Sequence, residues 1–180
     1  MTHPPINWDR VRSGVARLNA MPASEAVELL MAMSGSRPWA EKLAAQRPFE
    51  HIAALTVSER YGWHELPHED LLDAFAKHPR IGERNLKQAR FADSADQAGN
   101  EQSGMAGAAE EQRQAFEIGN EEYERRFGHV FLICATMKTA AGMLEQLRIR
   151  LNNDATTELD NATREQTQIT ELRLLRWLNT

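Results

Sequence analysis

Apolar residues recur along this chain at the spacing of a helix face, segment after segment, and almost nowhere at the alternation of a half-buried strand. Ala26, Leu29, Leu30 and Met33 stand at i, i+3, i+4 and i+7, and Met143, Leu144, Leu147 and Leu151 form a second such stripe. Aromatic and β-branched residues are sparse beside Ala, Leu, Glu, Gln and Arg, the stronger helix formers. An all-α fold is therefore expected. Val130-Phe-Leu-Ile-Cys-Ala135 is the single run that could form a strand, and its length does not separate a lone buried strand from a buried extended segment.

Turn and cap residues place the breaks. Helices are expected over 6–18, 22–33, 39–46, 49–60 (ending near Gly62), about 67–78, 110–127, from Thr139 to about 152, and about 156–178. Pro79 stops the fifth at His78, because a proline disfavours helical geometry in the residue before it. Gly128 is placed as a left-handed stop. Between Arg80 and Glu110 no apolar period survives, and Asp93, Ser94, Asp96, Gly99, Asn100, Ser103, Gly104 and Gly107 fill the stretch, so a long, partly irregular loop is expected. Loops beyond about 12–15 residues in a compact domain are usually functional or disordered. No internal repeat and no convincing boundary splits the 180 residues, which read as one domain, 1–180, a helical bundle.

Composition removes whole classes. Cys134 is the lone cysteine, so no disulfide framework exists, and nothing near it in sequence lowers its pKa; it reads as a small buried hydrophobe. The formal charge of −5 argues against a nucleic-acid partner, and no run of 18 or more apolar residues offers a membrane span. The N-terminus resembles no signal peptide, so a cytoplasmic, reducing location is expected. Phosphate loop, nucleophile elbow and dinucleotide fingerprint are all lacking.

His64-Glu65-Leu66-Pro67-His68 spells the zinc-peptidase HExxH string. That chemistry needs both histidines on one face of an unbroken helix. Pro67 breaks it, costing about 3 kcal/mol or more inside a helix, so the reading is a loop followed by a helix whose first turn holds Pro67, Glu69 and Asp70, and no metal site.

Three positions carry candidate chemistry. His78 lies at i+7 from Leu71 and i+3 from Phe75, so it either caps the helix end or lines a cleft as a general acid or base, held by the rigid Pro79. Glu101-Gln102 sits in the loop Ala98-Gly-Asn-Glu-Gln-Ser-Gly; a solvated acid is the plain alternative, but the pair also suits a ureide or amide, accepting from N–H and donating to C=O. Arg173 lies between Ile169 and Trp177 on an apolar face: either its head reaches water or an acid such as Glu101, or it holds an anionic substrate.

Taken in order, His78-Pro-Arg-Ile-Gly-Glu83, Glu101-Gln102, Tyr123-Glu-Arg-Arg-Phe-Gly128, Phe131-Leu-Ile-Cys-Ala135 and Arg150-Leu-Asn-Asn153 resemble the decarboxylases of 2-oxo-4-hydroxy-4-carboxy-5-ureidoimidazoline (OHCU), a urate-breakdown family. Ser36-Arg-Pro-Trp-Ala40, Arg47-Pro-Phe49 and Leu172-Arg-Leu174 extend the likeness over essentially the whole chain. The resemblance implies an all-helical, cofactor-free, usually dimeric enzyme that releases carbon dioxide from a small ureide and yields (S)-allantoin. It places the catalytic residues on His78, Glu101 and Arg173. The substrate contacts fall on Pro79, Gln102 and the stretch Phe131, Leu132, Ile133, Cys134, Ala135. One departure is Ala98, where the family often has a serine; either Ser94 or Ser103 substitutes, or one substrate hydrogen bond is missing.

The residue types suit that reaction. Loss of the carboxylate leaves an electron pair that the neighbouring imine accepts, so no metal or pyridoxal is required. A histidine near neutrality takes the ring hydroxyl proton, and a fixed donor delivers one to carbon on a single face. Arg173 anchors an anionic or carbonyl oxygen, while Glu101 and Gln102 grip the ureide. Which group protonates carbon, and which holds the carboxylate, stays open. The rival reading is a non-catalytic helical interaction module in which His78 and Arg173 are structural.

Overall fold

The computed structural model describes residues 6–81 and 110–180, and among these the chain forms eight helices and no strand. They are α1 (Trp8–Ala20), α2 (Ala23–Ser34), α3 (Arg37–Ala45), α4 (Ile52–His64), α5 (His68–Phe75), α6 (Glu110–Phe127), α7 (Ala140–Arg150) and α8 (Ala155–Leu178). The chain divides into two compact units, Met1–Pro67 with Thr167–Thr180, and His68–Gln166, so α8 contributes its second half to the first unit and its first half to the second.

Side-chain caps set the helix ends. Asn7 Oδ1 accepts from the N–H groups of Asp9 and Arg10, which starts α1 two residues later than the apolar period suggested. Ser36, His51, Thr139 and Asp154 cap α3, α4, α7 and α8 in the same way. Gly128, at φ 76°, ends α6 as expected. The ends of α4 and α5 also differ from the sequence reading. Helix α4 continues through Gly62 to His64, because this glycine is not a stop: a Cβ there would stand 3.0 Å from the Trp39 indole, so its absence admits the ring. Regular helix in α5 ends at Phe75, and the chain tightens through i→i+3 bonds, Lys77 N–H to Ala74 C=O at 3.1 Å and His78 N–H to Phe75 C=O at 3.0 Å, as the approach to Pro79 requires.

In the first unit α2 packs on α3, α3 on α4, and α1 on α4. The centre is a stack of Trp39 on Trp63, ring centroids 5.3 Å apart, both fully buried. Arg47 closes one end by donating from Nη1 to the carbonyls of Leu18 (2.6 Å) and Met21 (2.7 Å), which satisfies acceptors left open where α1 stops. In the second unit α6 packs on α7, and their buried faces share one cluster with Ile81, Phe131, Ile133 and Ala135. Each fully buried large side chain here, such as Phe116, Tyr123 or Phe131, contributes roughly 1.5–3 kcal/mol. No described helix is long and apolar enough to cross a membrane.

Residues 130–135 form neither helix nor strand. Phe131, Ile133 and Ala135 belong to the α6–α7 cluster, while Leu132 and Cys134 are buried outside it. That alternation is the period of an extended chain, buried on both faces.

Candidate functional site

His78 sits half-buried just past α5, and the chain on its far side is fastened to α6. The Arg80 guanidinium closes on both carboxylate oxygens of Glu124 at 2.6 Å each, and Asn120 Nδ2 donates to the Ile81 carbonyl at 2.9 Å. Ile81 itself is buried in the α6–α7 cluster. With Phe75 fully buried on one side and Ile81 on the other, the His78-Pro79 turn is held at both ends.

The apolar run is held by charged groups. Arg150, buried, donates from Nη1 to the Leu132 carbonyl at 2.7 Å and from Nε to Glu158 Oε1 at 2.7 Å, and the Tyr123 hydroxyl bonds the same Glu158 oxygen. Asn153 Nδ2 reaches Glu158 Oε2 at 2.8 Å. Burial raises the Tyr123 hydroxyl's pKa, so it stays a donor. Further along, Glu165 Oε2 accepts the Cys134 N–H at 2.7 Å and Lys138 Nζ donates to the Cys134 carbonyl at 2.6 Å. Cys134 is a buried free thiol, the small hydrophobe expected. His129, packed among the rings of Phe75, Tyr123 and Phe127, is pushed below the usual imidazole range by burial, and its Nδ1 lies 3.0 Å from the Val130 carbonyl, which the neutral ring satisfies as a donor.

Arg173 belongs to the first unit and is buried, with 7% of its surface exposed. Its Nη1 donates to the Met33 carbonyl at 2.7 Å, at the C-terminal end of α2, where the helix dipole favours a cation. The reading in which its head reaches open water does not hold. Glu101, Gln102 and Ala98, and all but the ends of the expected loop over 80–110, lie outside the described residues.

The HExxH string is interrupted as its proline dictates: α4 ends at His64, and α5 begins at His68. Among the described residues no group of three or more His, Cys, Asp or Glu side chains is placed to hold a metal ion. The first unit carries an apolar groove of about 1110 Å³ between residues 6–10 and the end of α8, and a cavity of about 350 Å³ bordered by Thr56, Glu59, Glu171 and Leu174. None of the described candidate residues lines either.

Sequence reasoning passed over several polar residues. Arg150 follows Met143 and Leu147 on the apolar face of α7, so its burial was legible in the spacing. Glu59 stands at i+4 from Leu55 and i−4 from Trp63 and is fully buried. One of its oxygens accepts the Trp63 indole N–H at 3.2 Å, the other has no partner, and burial pushes its carboxyl up to about 8. No sequence signal singles out Glu165.

The family model for OHCU decarboxylase matches residues 19–175. The chain belongs to the OHCU decarboxylase family. It is 32% identical over 141 residues, 78% of its length, to the uric acid degradation bifunctional protein TTL of Arabidopsis thaliana, and spans 43% of that longer protein. It is 28% identical over 138 residues to the 2-oxo-4-hydroxy-4-carboxy-5-ureidoimidazoline decarboxylase of Haloferax volcanii, covering 76% of this chain and 79% of that one. An OHCU decarboxylase crystallised in the presence of (S)-allantoin superposes with a TM-score of 0.70 at 28% identity, covering 83% of this chain and 96% of that one. This OHCU decarboxylase family member thus has the all-helical fold expected for it.

Proposed function

We propose that this chain decarboxylates OHCU to (S)-allantoin in urate catabolism, with a small ureide as substrate and no cofactor. The observation that carries the reading is the His78-Pro79 turn, which family membership marks and which α6 fastens through Glu124 and Asn120. A general base must be held within hydrogen-bonding reach of the proton it takes, and a turn anchored on both sides is suited to that. His78 takes the proton of the ring hydroxyl. Carbon dioxide then leaves, the pair of the broken bond forms a double bond to the carbon bearing the ureido group, and the imine's π pair moves onto its nitrogen, which takes a proton; the ring oxygen becomes a carbonyl only as that double bond is protonated. A proton is then delivered to the carbon bearing the ureido group on one face only.

Arg173 is assigned to an anionic or carbonyl oxygen of the substrate, Glu101 and Gln102 to the ureide, and Pro79 with the backbone of residues 131–135 to the pocket wall. The family resemblance also supports a cytoplasmic homodimer, and sedimentation of the purified chain reads the latter directly.

The test is to generate OHCU in situ with the enzymes that oxidise and hydrate urate, and to follow circular dichroism. Spontaneous decay yields racemic allantoin; the enzyme yields one enantiomer. His78→Ala is expected to abolish the stereospecific signal with the helical spectrum intact. Undiminished turnover in that variant would remove His78 from the mechanism.

A further inference from the structure

The stretch that the proposed function assigns to the pocket wall is held by side chains along one edge. In an extended backbone the N–H and C=O of one residue point to the same side, and those of the next residue to the other. The groups taken by side chains belong to Leu132 and Cys134, two residues apart: the Leu132 carbonyl by Arg150, the Cys134 N–H by Glu165 at 2.7 Å, and the Cys134 carbonyl by Lys138 at 2.6 Å. Glu165 and Lys138 stand 4.0 Å apart, so each also holds the other in place. No described residue bonds the N–H or C=O of Ile133, which lies between them on the opposite edge. Among the described residues no strand neighbours this run, and three side chains hold its register and the tilt of its peptide planes.

We infer that Glu165, with Lys138 as its partner, is a positioning residue for substrate binding: by gripping Cys134 it fixes the edge of the 131–135 segment that faces away, and so the peptide groups at Ile133 that face the ligand. The inference rests on the reading that this segment lines the substrate pocket. Glu165 itself touches no reacting atom, so it acts on affinity more than on the chemical step. The required feature is an acceptor oxygen aimed at the Cys134 N–H, which glutamine also supplies and alanine does not.

The experiment combines steady-state kinetics with amide hydrogen exchange at Cys134 in full-length wild type, Glu165→Ala, Glu165→Gln and Lys138→Met. Wild-type turnover by itself decides the functional reading. Given turnover, Glu165→Ala is expected to raise KM about five- to tenfold with kcat changed less than about threefold, and to speed exchange at Cys134 by a similar factor, the scale of one hydrogen bond. Glu165→Gln is expected to restore most of both. Lys138→Met, at a more exposed position, keeps the test alive if Glu165→Ala does not fold, and is expected to raise KM about threefold. An unchanged KM in Glu165→Ala, or in Lys138→Met where the alanine variant does not fold, overturns the inference while leaving the enzyme's activity established. So does a Glu165→Gln variant as impaired as the alanine one.

Discussion

Arg80 and Glu124 meet through two parallel hydrogen bonds of 2.6 Å, two residues beyond His78, and tie the turn that carries the histidine to the last turn of α6. Both side chains keep part of their surface in water, so the pair contributes about 1 kcal/mol or less to stability. Its larger consequence is geometric: under the proposed function His78 is the general base, and a small displacement of such a group is costly.

Glu124→Ala is therefore expected to lower kcat/KM for OHCU by roughly ten- to a hundredfold while the melting temperature moves by only a few degrees. Kinetics and thermal unfolding on one preparation check this. A loss of activity that merely tracks unfolding would make the pair structural.

Glu59 makes stability depend on pH. Burial raises its pKa in the folded chain from 4.5 to about 8, so between those values the folded state keeps a proton that the unfolded state has released. Stability is then full below about pH 4.5, falls by up to about 1.4 kcal/mol per pH unit as pH rises toward 8, and is level above it. Glu59→Gln keeps an acceptor for the Trp63 indole and removes the titration. Melting temperatures from pH 5 to 9 are expected to fall less steeply in the variant, which becomes the more stable of the two at the alkaline end. Parallel curves would contradict this.

Arg150 and Glu158 are both nearly inaccessible, with side-chain exposures of 6% and 0%. Removing one partner of such a pair strands a buried charge and costs about 3–5 kcal/mol. Arg150→Met also leaves the Leu132 carbonyl without its donor. Urea unfolding should show that loss, and in a double-mutant cycle with Glu158→Leu the double variant should be less unstable than the two single changes add up to.

Gly62→Ala inverts the usual helix rule. Alanine in a helix interior is favoured over glycine by about 1 kcal/mol, but here the new Cβ would stand 3.0 Å from the Trp39 ring. That ring is fully buried, stacked on Trp63 and bonded through Nε1 to the Glu59 carbonyl at 3.1 Å, so it cannot yield freely. A net loss of about 1–2 kcal/mol is expected by chemical denaturation; a gain would mean that the stack has slack.

Helical periodicity, caps and breakers were enough to read eight helices and the break inside His64-Glu65-Leu66-Pro67-His68, because each of those signals acts within a few residues. The ordered motifs from His78 to Arg173 were enough for the family. Gly62 was misread as a stop because its purpose is a ring contributed by another helix. Arg173 was placed on an apolar face, yet nothing in its own neighbourhood named the Met33 carbonyl, 140 residues away, as its acceptor.

Local sequence thus determined which segments are helical and, through its ordered motifs, the family to which the chain belongs. Tertiary structure alone decided how particular groups are held: Arg80 by Glu124, the Leu132 carbonyl by Arg150, the Cys134 N–H by Glu165, and Glu59 enclosed where its acid is pushed to about 8. The reason is physical. Helix propensity and capping are set by neighbours along the chain, whereas burial of a charge and the partner that satisfies it depend on which distant residues folding brings within about 3 Å.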